Sequence, residues 1–441
     1  MSIPKLYLFA LSPLLLFVLV GASCKKAETN TIVDSLNTPP NIVFIIADDM
    51  GWDAYGNYPG ISSVKAYTPT LDSLARNGIT FTNFWTYPEC SPTRASMLTG
   101  KYGFRTGLGT AGGTLSSTET IIQKYIIDKT GNEYNNALIG KWHVSGGTNL
   151  TAPEGFGVQY FTGFLIGMLN DYYNWTQTSN AVQQIVSTYA TTHFVNQSLS
   201  WMQEQTKPFF LWLAFNAPHT PFHRPPLNLI KDQSLSDNQA TINANPLPYY
   251  LASIEAMDKE IGRLISSMST AQRENTVFIV MGDNGTPSRV AQSPYIAKAK
   301  STLFQGGINC PLIVSGKNVT RKNVVETALV QATDMFSTIA DITGAGSTAY
   351  NDGVSIKPLF TNASAIKRTF VYSEFFGNTP STNDGYTLRN ENFKYIKLQN
   401  GTEYLYKLST DPFETTNLML KPLNTEAQQN LDALKSIQTS L

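Results

Sequence analysis

Residues 88 to 100 read Pro-Glu-Cys-Ser-Pro-Thr-Arg-Ala-Ser-Met-Leu-Thr-Gly. The chain of 441 residues has three cysteines, and Cys90 stands directly before Ser-Pro-Thr-Arg. Ser91 followed by Pro92 predicts a helix start, with a capping hydroxyl and then proline at the first helical position. That places Cys90 at a helix N-terminus, where free backbone N–H groups and the dipole favour anions. Arg94 lies about one turn on and can point back to the same place. The stretch therefore reads as an anion site with a thiol in it. The bland alternative is a buried cysteine ahead of a helix; a thiolate nucleophile is another reading.

A second group could hold a cation. Asp48 and Asp49 are adjacent carboxylates just past an apolar run, and Asp283 and Asn284 repeat the arrangement further on. Buried like charges repel unless something positive compensates them. Three carboxylates and an amide offer oxygen only, which suits Ca²⁺ or Mg²⁺ and not zinc. Asp-Asn-Gly by itself marks turns; the two pairs together favour a metal.

These residues need elements to carry them. NIVFIIADD (41–49), ALIGKWH (137–143), PFFLWLAFNAPH (208–219) and TVFIVMGDNG (276–285) are apolar runs that end in polar residues. Runs of this kind, rich in Ile, Val and Phe, read as strands buried on both faces. Helical patterns lie between and beyond them. TPTLDSLARNG has a threonine cap and a glycine stop. YYLASIEAMDKEIGRLISSM and QATDMFSTIADITG repeat apolar residues at helical spacing. Strand and helix in alternation predict an α/β fold, a large mixed, mostly parallel sheet sandwiched by helices. Ligands of such sheets bind beyond the carboxyl ends of the strands. Lys141, His143, Asn216 and His219 stand there with the acidic pairs. Four polar strand ends together read as one site built from distant parts of the chain.

The termini differ from this body. Leu6 to Val20 is an apolar run after Lys5, and it closes on Gly21, Ala22 and Ser23. It reads as a signal peptide over 1–23. Cys24 resembles the lipidated cysteine of bacterial lipoproteins, although Gly21 replaces the usual larger residue. Residues 24–39 read as a polar tether. Export to the bacterial periplasm or outer membrane is expected, with membrane contact only through such an anchor. Residues 40–365 are expected to form the catalytic domain, and 366–441 a small C-terminal antiparallel sheet with one helix. There NFKYIKL, NGT and EYLYKL give a hairpin signal. Lysine plus arginine equals aspartate plus glutamate at 32 each, so nothing global points to nucleic acid. Cys310, in GINCPLIV, reads as a small buried hydrophobe.

CSPTRASMLTG resembles the sulfatase signature, Cys-x-Pro-x-Arg followed by Leu-Thr-Gly. The Cys-x5-Arg loop of tyrosine phosphatases does not fit, because Arg94 is four positions after Cys90. NIVFIIADDMGWDAYG, TPTLDSLARNGITFTNFW, GKWH, APHTPF and GDNG occur in the order found in type I sulfatases of the alkaline-phosphatase-like superfamily. KSTLFQGGINCPLIV and EYLYKLSTDPFETTNL resemble later segments of the same family.

The resemblance implies a reaction. In the family the signature cysteine is oxidised by a maturation enzyme to formylglycine, an aldehyde whose hydrate attacks sulfur with help from a metal. The alcohol leaves, and the second hydroxyl of the hydrate then expels sulfate. By position, Asp48, Asp49, Asp283 and Asn284 would hold the cation, usually Ca²⁺, with the modified Cys90 as a further ligand. Arg94 and Lys141 would stabilise the formylglycine oxygens and the anion. His143 would hydrogen-bond the hydrate. His219 and Lys300 would grip the sulfate and the bridging oxygen, with Lys298 the candidate should Lys300 prove misplaced.

Two positions depart from the pattern: Gln305 stands where glutamate is common, and Asn309 where arginine is common. Phe161, Phe164, Tyr172, Tyr173 and Trp175 are either core or a platform for a sugar or aryl ring. A sulfated glycan is the leading substrate by association with envelope enzymes. The rivals are a phosphonate monoester or phosphodiester hydrolase of the same superfamily and a glycan-binding protein that has lost catalysis.

Overall fold

The structure, a computed structural model, describes residues 38–56, 64–346, 348–365 and 367–441, with residues 1, 2 and 4. The expected signal peptide, the tether to residue 37 and Cys24 lie outside the described residues, those three apart.

A ten-stranded sheet forms the centre. Its strands are β1 (Asn41–Asp48), β2 (Gly78–Trp85), β3 (Asn135–Lys141), β4 (Tyr160–Phe164), β5 (Trp175–Ser179), β6 (Val182–Val186), β7 (Phe209–Pro218), β8 (Thr276–Gly282), β9 (Leu312–Gly316) and β10 (Val324–Gln331). Their order is β10-β2-β9-β8-β1-β7-β3-β4-β5-β6. The central run from β8 to β4 is parallel throughout. β9 is antiparallel to both neighbours, and β4, β5 and β6 form antiparallel pairs. The sheet is mixed and its middle parallel, as the strand and helix alternation predicts. The four strands with polar ends, β8, β1, β7 and β3, are consecutive neighbours.

Every residue of β1 is buried, and alternate side chains serve two cores. Val43 and Ile45 face one layer with the Leu247–Ser267 and Ala190–Gln203 helices. Ile42, Phe44 and Ile46 face the other, with the Cys90–Thr99, Ile122–Thr130 and Asp334–Thr343 helices. This is the period of two read on a doubly covered strand. Each fully buried Ile or Phe contributes about 1.5–3 kcal/mol, so the strand ends sit on a stiff base.

The Pro69–Arg76 helix starts after Thr68, as its sequence indicates, but Thr68 makes no side-chain cap. The Asp258 carboxylate, from the long helix beside it, accepts from Thr70 N at 3.0 Å and Leu71 N at 2.7 Å and takes that role. Beyond the main sheet, strands Val371–Phe375, Gly385–Arg389, Phe393–Leu398 and Glu403–Lys407 form an antiparallel sheet. The Thr425–Ser440 helix covers it with Ala427, Leu431 and Leu434. The last two strands join through a tight turn in which Gly401 has φ 91°.

Candidate active site

The ends of β1 and β8 bring the acidic residues together. Pairing of β1 with β7 shifts register between Ile46 and Asp48. Asp49 follows in the left-handed region at φ 70°, a conformation aspartate tolerates better than most residues. That turn lets Asp49 N donate to Asp283 Oδ1 at 3.1 Å, while the Asp49 carbonyl accepts from the Tyr250 hydroxyl at 2.7 Å. Asn284 Nδ2 donates to Asp49 Oδ1 at 2.7 Å. Asp48, Asp49, Asp283 and Asn284 are all buried.

Three full cations meet the three carboxylates. Arg94 Nη2 lies 2.7 Å from Asp283 Oδ2 and 3.9 Å from Asp48 Oδ2. Lys141 Nζ lies 2.6 Å from Asp48 Oδ2, and Lys300 Nζ 2.5 Å from Asp49 Oδ1. His219 Nε2 stands 3.5 Å from Asp49 Oδ2. Burial opposes charge on Asp49, but His219 and Lys300 override it and hold the carboxyl well below the usual range. Burial likewise opposes charge on Lys300, and Asp49 overrides it in turn. For Asp283, burial and the Asp48 charge prevail over Arg94 and push the carboxyl up.

Some buried polar atoms are left over. Asp48 Oδ1 and Asn284 Oδ1 have no hydrogen-bond partner, nor does Arg94 Nε. Such atoms are costly when unmet. Two orphaned acceptors within a group of three carboxylates and an amide fit a hard divalent cation. Asp48, Asp49 and His219 also offer ligand atoms within 4.8 Å of one another. The orphaned Arg94 donor fits an anionic or hydroxyl oxygen.

Cys90 faces this cluster from the side. It opens the Cys90–Thr99 helix, whose cap position is Glu89. Pro92 is therefore the third helical residue, not the first, and Ser91 does not cap. The first turn tolerates this shift because its N–H groups lack intrahelical partners anyway. The Ser91 hydroxyl instead donates to the His143 carbonyl at 2.9 Å and accepts from Gly112 N at 3.2 Å. Cys90 Sγ lies 3.2 Å from His143 Nδ1. Burial pushes the Cys90 thiol up, against Lys141 and Lys300. Burial with the Lys141 and Arg94 charges holds His143 neutral.

β3 delivers Lys141 and His143. Gly140 is obligatory there, since at φ 105° an added Cβ would lie 1.9 Å from the Ala214 carbonyl oxygen. β7 delivers His219, whose ring Nδ1 is 3.0 Å from the Thr220 carbonyl. Asn216 steadies that loop: Leu169 N donates to its Oδ1, and the Asn216 carbonyl accepts from His219 N.

Direct contacts link Asp49, Asp283, Asn284, His219 and Lys300, then Arg94, Asp48 and Lys141, then Cys90 and His143. Lys298 lies apart, donating to the carbonyls of Phe413 and Glu414. Phe161, Phe164, Tyr172 and Trp175 are core residues, and Tyr173 is exposed. Cys310 is a buried free thiol, as read. Tyr250 and Glu89 support the site without any sequence signal of their own, and Ser91, read as a cap, supports it through His143 and Gly112 instead. Only the place of Glu89 and Ser91 beside Cys90 could have drawn notice.

A buried cysteine at a helix start, a histidine on it and an oxygen cluster with orphaned acceptors form, at the strand ends of an α/β sheet, a pocket suited to a hard cation and an anionic group. Comparison with known proteins narrows the class. The sulfatase family pattern matches residues 40–345, and that of the N-sulphoglucosamine sulphohydrolase C-terminal region matches 298–439. Arylsulfatase J of Mus musculus is 29% identical over 330 residues, which is 69% of this chain and 52% of the relative. An ulvan-active sulfatase of Formosa agariphila is 26% identical over 433 residues, covering 93% and 83%. The fold is shared with Ps i-CgsB, solved with k-i-k-neocarrahexaose, at TM-score 0.75 and 22% identity over 91% of this chain and 92% of that one. It is also shared with a protein solved with its substrate D-glucosamine-2-N,6-O-disulfate, at TM-score 0.74 and 19% identity over 91% and 98%.

The chain belongs to the sulfatase family, type I, of the alkaline-phosphatase-like superfamily. Its class is that of the sulfuric ester hydrolases.

Proposed function

We propose that the protein removes sulfate from sulfated carbohydrates, with Cys90 converted to formylglycine and a divalent cation, Ca²⁺ or Mg²⁺, held by Asp48, Asp49, Asp283 and Asn284. One observation carries the reading. Cys90 faces His143 at 3.2 Å, beside a cluster where Asp48 Oδ1 and Asn284 Oδ1 are orphaned. When bound, the cation would supply Lewis acidity to the nucleophile and the sulfate oxygens. Arg94 Nε and Lys141 stabilise oxygen at residue 90. The neutral His143 accepts a proton there and returns it. His219 and Lys300 bind the sulfate, and Lys300 stabilises charge on the departing oxygen.

The glycan substrate is supported by two of the relatives, named as ulvan-active sulfatases, and by the sugar complexes of two fold neighbours. Export by the N-terminal segment, anchorage at Cys24 and oxidation by a maturation enzyme complete the proposal. No helix among the described residues is long and apolar enough to cross a membrane.

Peptide mass spectrometry on active protein should find formylglycine at position 90. Released sulfate should be measured on a panel of sulfated sugars and on 4-nitrophenyl sulfate. Cys90→Ser made in a host that cannot convert serine should be essentially inactive, because serine lacks the second hydroxyl that expels sulfate. Full activity with unmodified cysteine, or turnover of phosphonate monoesters above every sulfate ester, would reject the proposal.

A further inference from the structure

We propose that the cavity between segments 107–114 and 375–384 binds the sugar on the leaving side of the sulfate ester and selects an uncharged one. The inference rests on the sulfatase reading of Cys90 and Lys300. It adds a place and a chemistry for the rest of the substrate.

The cavity holds about 540 Å³, within the range of roughly 300–1,000 Å³ usual for small-ligand sites. Its walls are hydrogen-bonded to the chain neighbours of Cys90 and Lys300, the two residues that would flank the reacting ester. Glu89, directly before Cys90, accepts with Oε2 from the Thr110 hydroxyl at 2.9 Å and from Ala111 N at 2.6 Å. Its Oε1 accepts from the Ser301 hydroxyl at 2.9 Å, and Ser301 follows Lys300. Gly112 N donates to Ser91, the residue after Cys90. The opposite wall reaches the same place, since Asn383 Nδ2 donates to the Ser301 carbonyl at 3.0 Å. One carboxylate thus clamps the cavity floor, the helix of the nucleophile and the segment of Lys300 to one another.

The lining decides what fits. Among the described residues it contains no lysine, arginine or histidine, and its one ionisable side chain is Asp384. Asp384 is buried and accepts from Ser381 N at 3.0 Å. A carboxylate or second sulfate in this cavity would lose water and find no cation, which is costly. Hydroxyl groups would find Thr110, Asn378, Thr379 and Ser381. Phe376 is half-buried and lies against Gly109 so closely that an added Cβ would stand 2.3 Å from its ring. Its ring offers an apolar plate for the C–H face of a sugar. Charge recognition is thereby confined to the cluster around Lys300, and hydroxyl recognition to the cavity beside it.

The test uses the mature enzyme on two sets of sulfated oligosaccharides, one built of otherwise uncharged sugars and one containing uronate. Carrageenan and chondroitin fragments are suitable members. 4-Nitrophenyl sulfate is the small reference. Turnover should concentrate in the uncharged set. Asn378→Trp, at an exposed wall position, should lower the ratio of kcat/KM on the oligosaccharide to kcat/KM on 4-nitrophenyl sulfate at least tenfold. Thr379→Arg should shift preference toward the uronate set. Preference of the wild type for uronate substrates would overturn the proposal. So would an unmoved ratio in Asn378→Trp, or aryl sulfate turnover with no oligosaccharide turned over. Absence of turnover on every sulfate ester would instead count against the sulfatase mechanism itself.

Discussion

Lys300 is where catalysis and structure can be separated by experiment. Its ammonium sits 2.5 Å from Asp49 Oδ1, and the side chain is 17% exposed. Lys300→Ala removes two things. One is the proposed donor to the departing oxygen, which would be worth roughly 3 kcal/mol or about a hundredfold in rate. The other is a partner of a buried carboxylate, whose removal typically costs about 3–5 kcal/mol. Asp49 keeps Asn284 Nδ2 at 2.7 Å and His219 Nε2 at 3.5 Å. The loss of stability should therefore fall lower, at about 1–3 kcal/mol. The assay is kcat/KM along a series of aryl sulfates, from nitrophenols to plain phenol, and on a sugar sulfate. A lost leaving-group donor should cost about a hundredfold on the sugar sulfate and less than about tenfold on the best nitrophenol. A loss of equal size across the series would refute the assignment and leave Lys300 as a support for Asp49 alone. Lys298→Ala is the comparison. That lysine holds the 413–414 carbonyls, so its loss should lower Tm without changing the leaving-group dependence.

Two further outcomes follow from the same geometry. Asn284→Ala deletes one orphaned acceptor and should weaken Ca²⁺ binding, measured by calorimetry, while chelation should abolish wild-type turnover and Ca²⁺ restore it. It is a cleaner test than Asp283→Ala, which would also strip Arg94 of its 2.7 Å partner. Burial pushes the Asp258 carboxyl up from 3.8 to about 6. The folded state thus holds that proton more tightly than the unfolded chain, so stability declines as pH rises from about 4 to about 6, by at most about 3 kcal/mol. Asp258→Asn should flatten the Tm profile over that window, and an unchanged slope would remove Asp258 as its source.

The strand ends were legible because a strand buried on both faces leaves a continuous apolar run, and the first polar residues after it mark the sheet edge. That is why Asp48, Lys141, His219 and Asp283 could be read without knowing how the strands order. Neighbourhood was not legible: nothing in the runs themselves says that β8, β1, β7 and β3 are adjacent. Caps were read less well. Thr68 and Ser91 have the right residue type, but Asp258 and Glu89 occupy those ends, and both choices depend on tertiary contact. The aromatic residues of β4 and β5 carry no signal that separates a core from a platform, and packing places Phe161, Phe164 and Trp175 inside. The glycine-rich 107–114 segment shows its use only when Glu89 is seen to hold it.

The two departures from the family pattern are answered by residues far along the chain. Gln305 accepts from Trp85 Nε1 at 3.0 Å, and its backbone N donates to Glu414 Oε2 at 2.7 Å. The other oxygen of Glu414 lies 2.6 Å from the buried Lys394 ammonium, which stands 4.9 Å above the Trp85 ring. Burial pulls Lys394 down to about 8, and Glu414 opposes that shift. A glutamate at 305 would put a second carboxylate beside Glu414, where one already neutralises Lys394. The amide keeps the acceptor for Trp85 and omits the extra charge. Asn309 keeps a donor, bonding the Thr82 carbonyl at 3.1 Å. Gln305 lies between Trp85 and the Glu414 loop, whereas Asn309 sits beside β2. The loop at 413–414 fastens the segment that carries Lys300, accepting from Lys298 Nζ with its carbonyls and from Gln305 N with the Glu414 carboxylate. The differences at 305 and 309 are thus met by Trp85, Glu414 and Thr82, none of which belongs to the acidic cluster or touches Cys90.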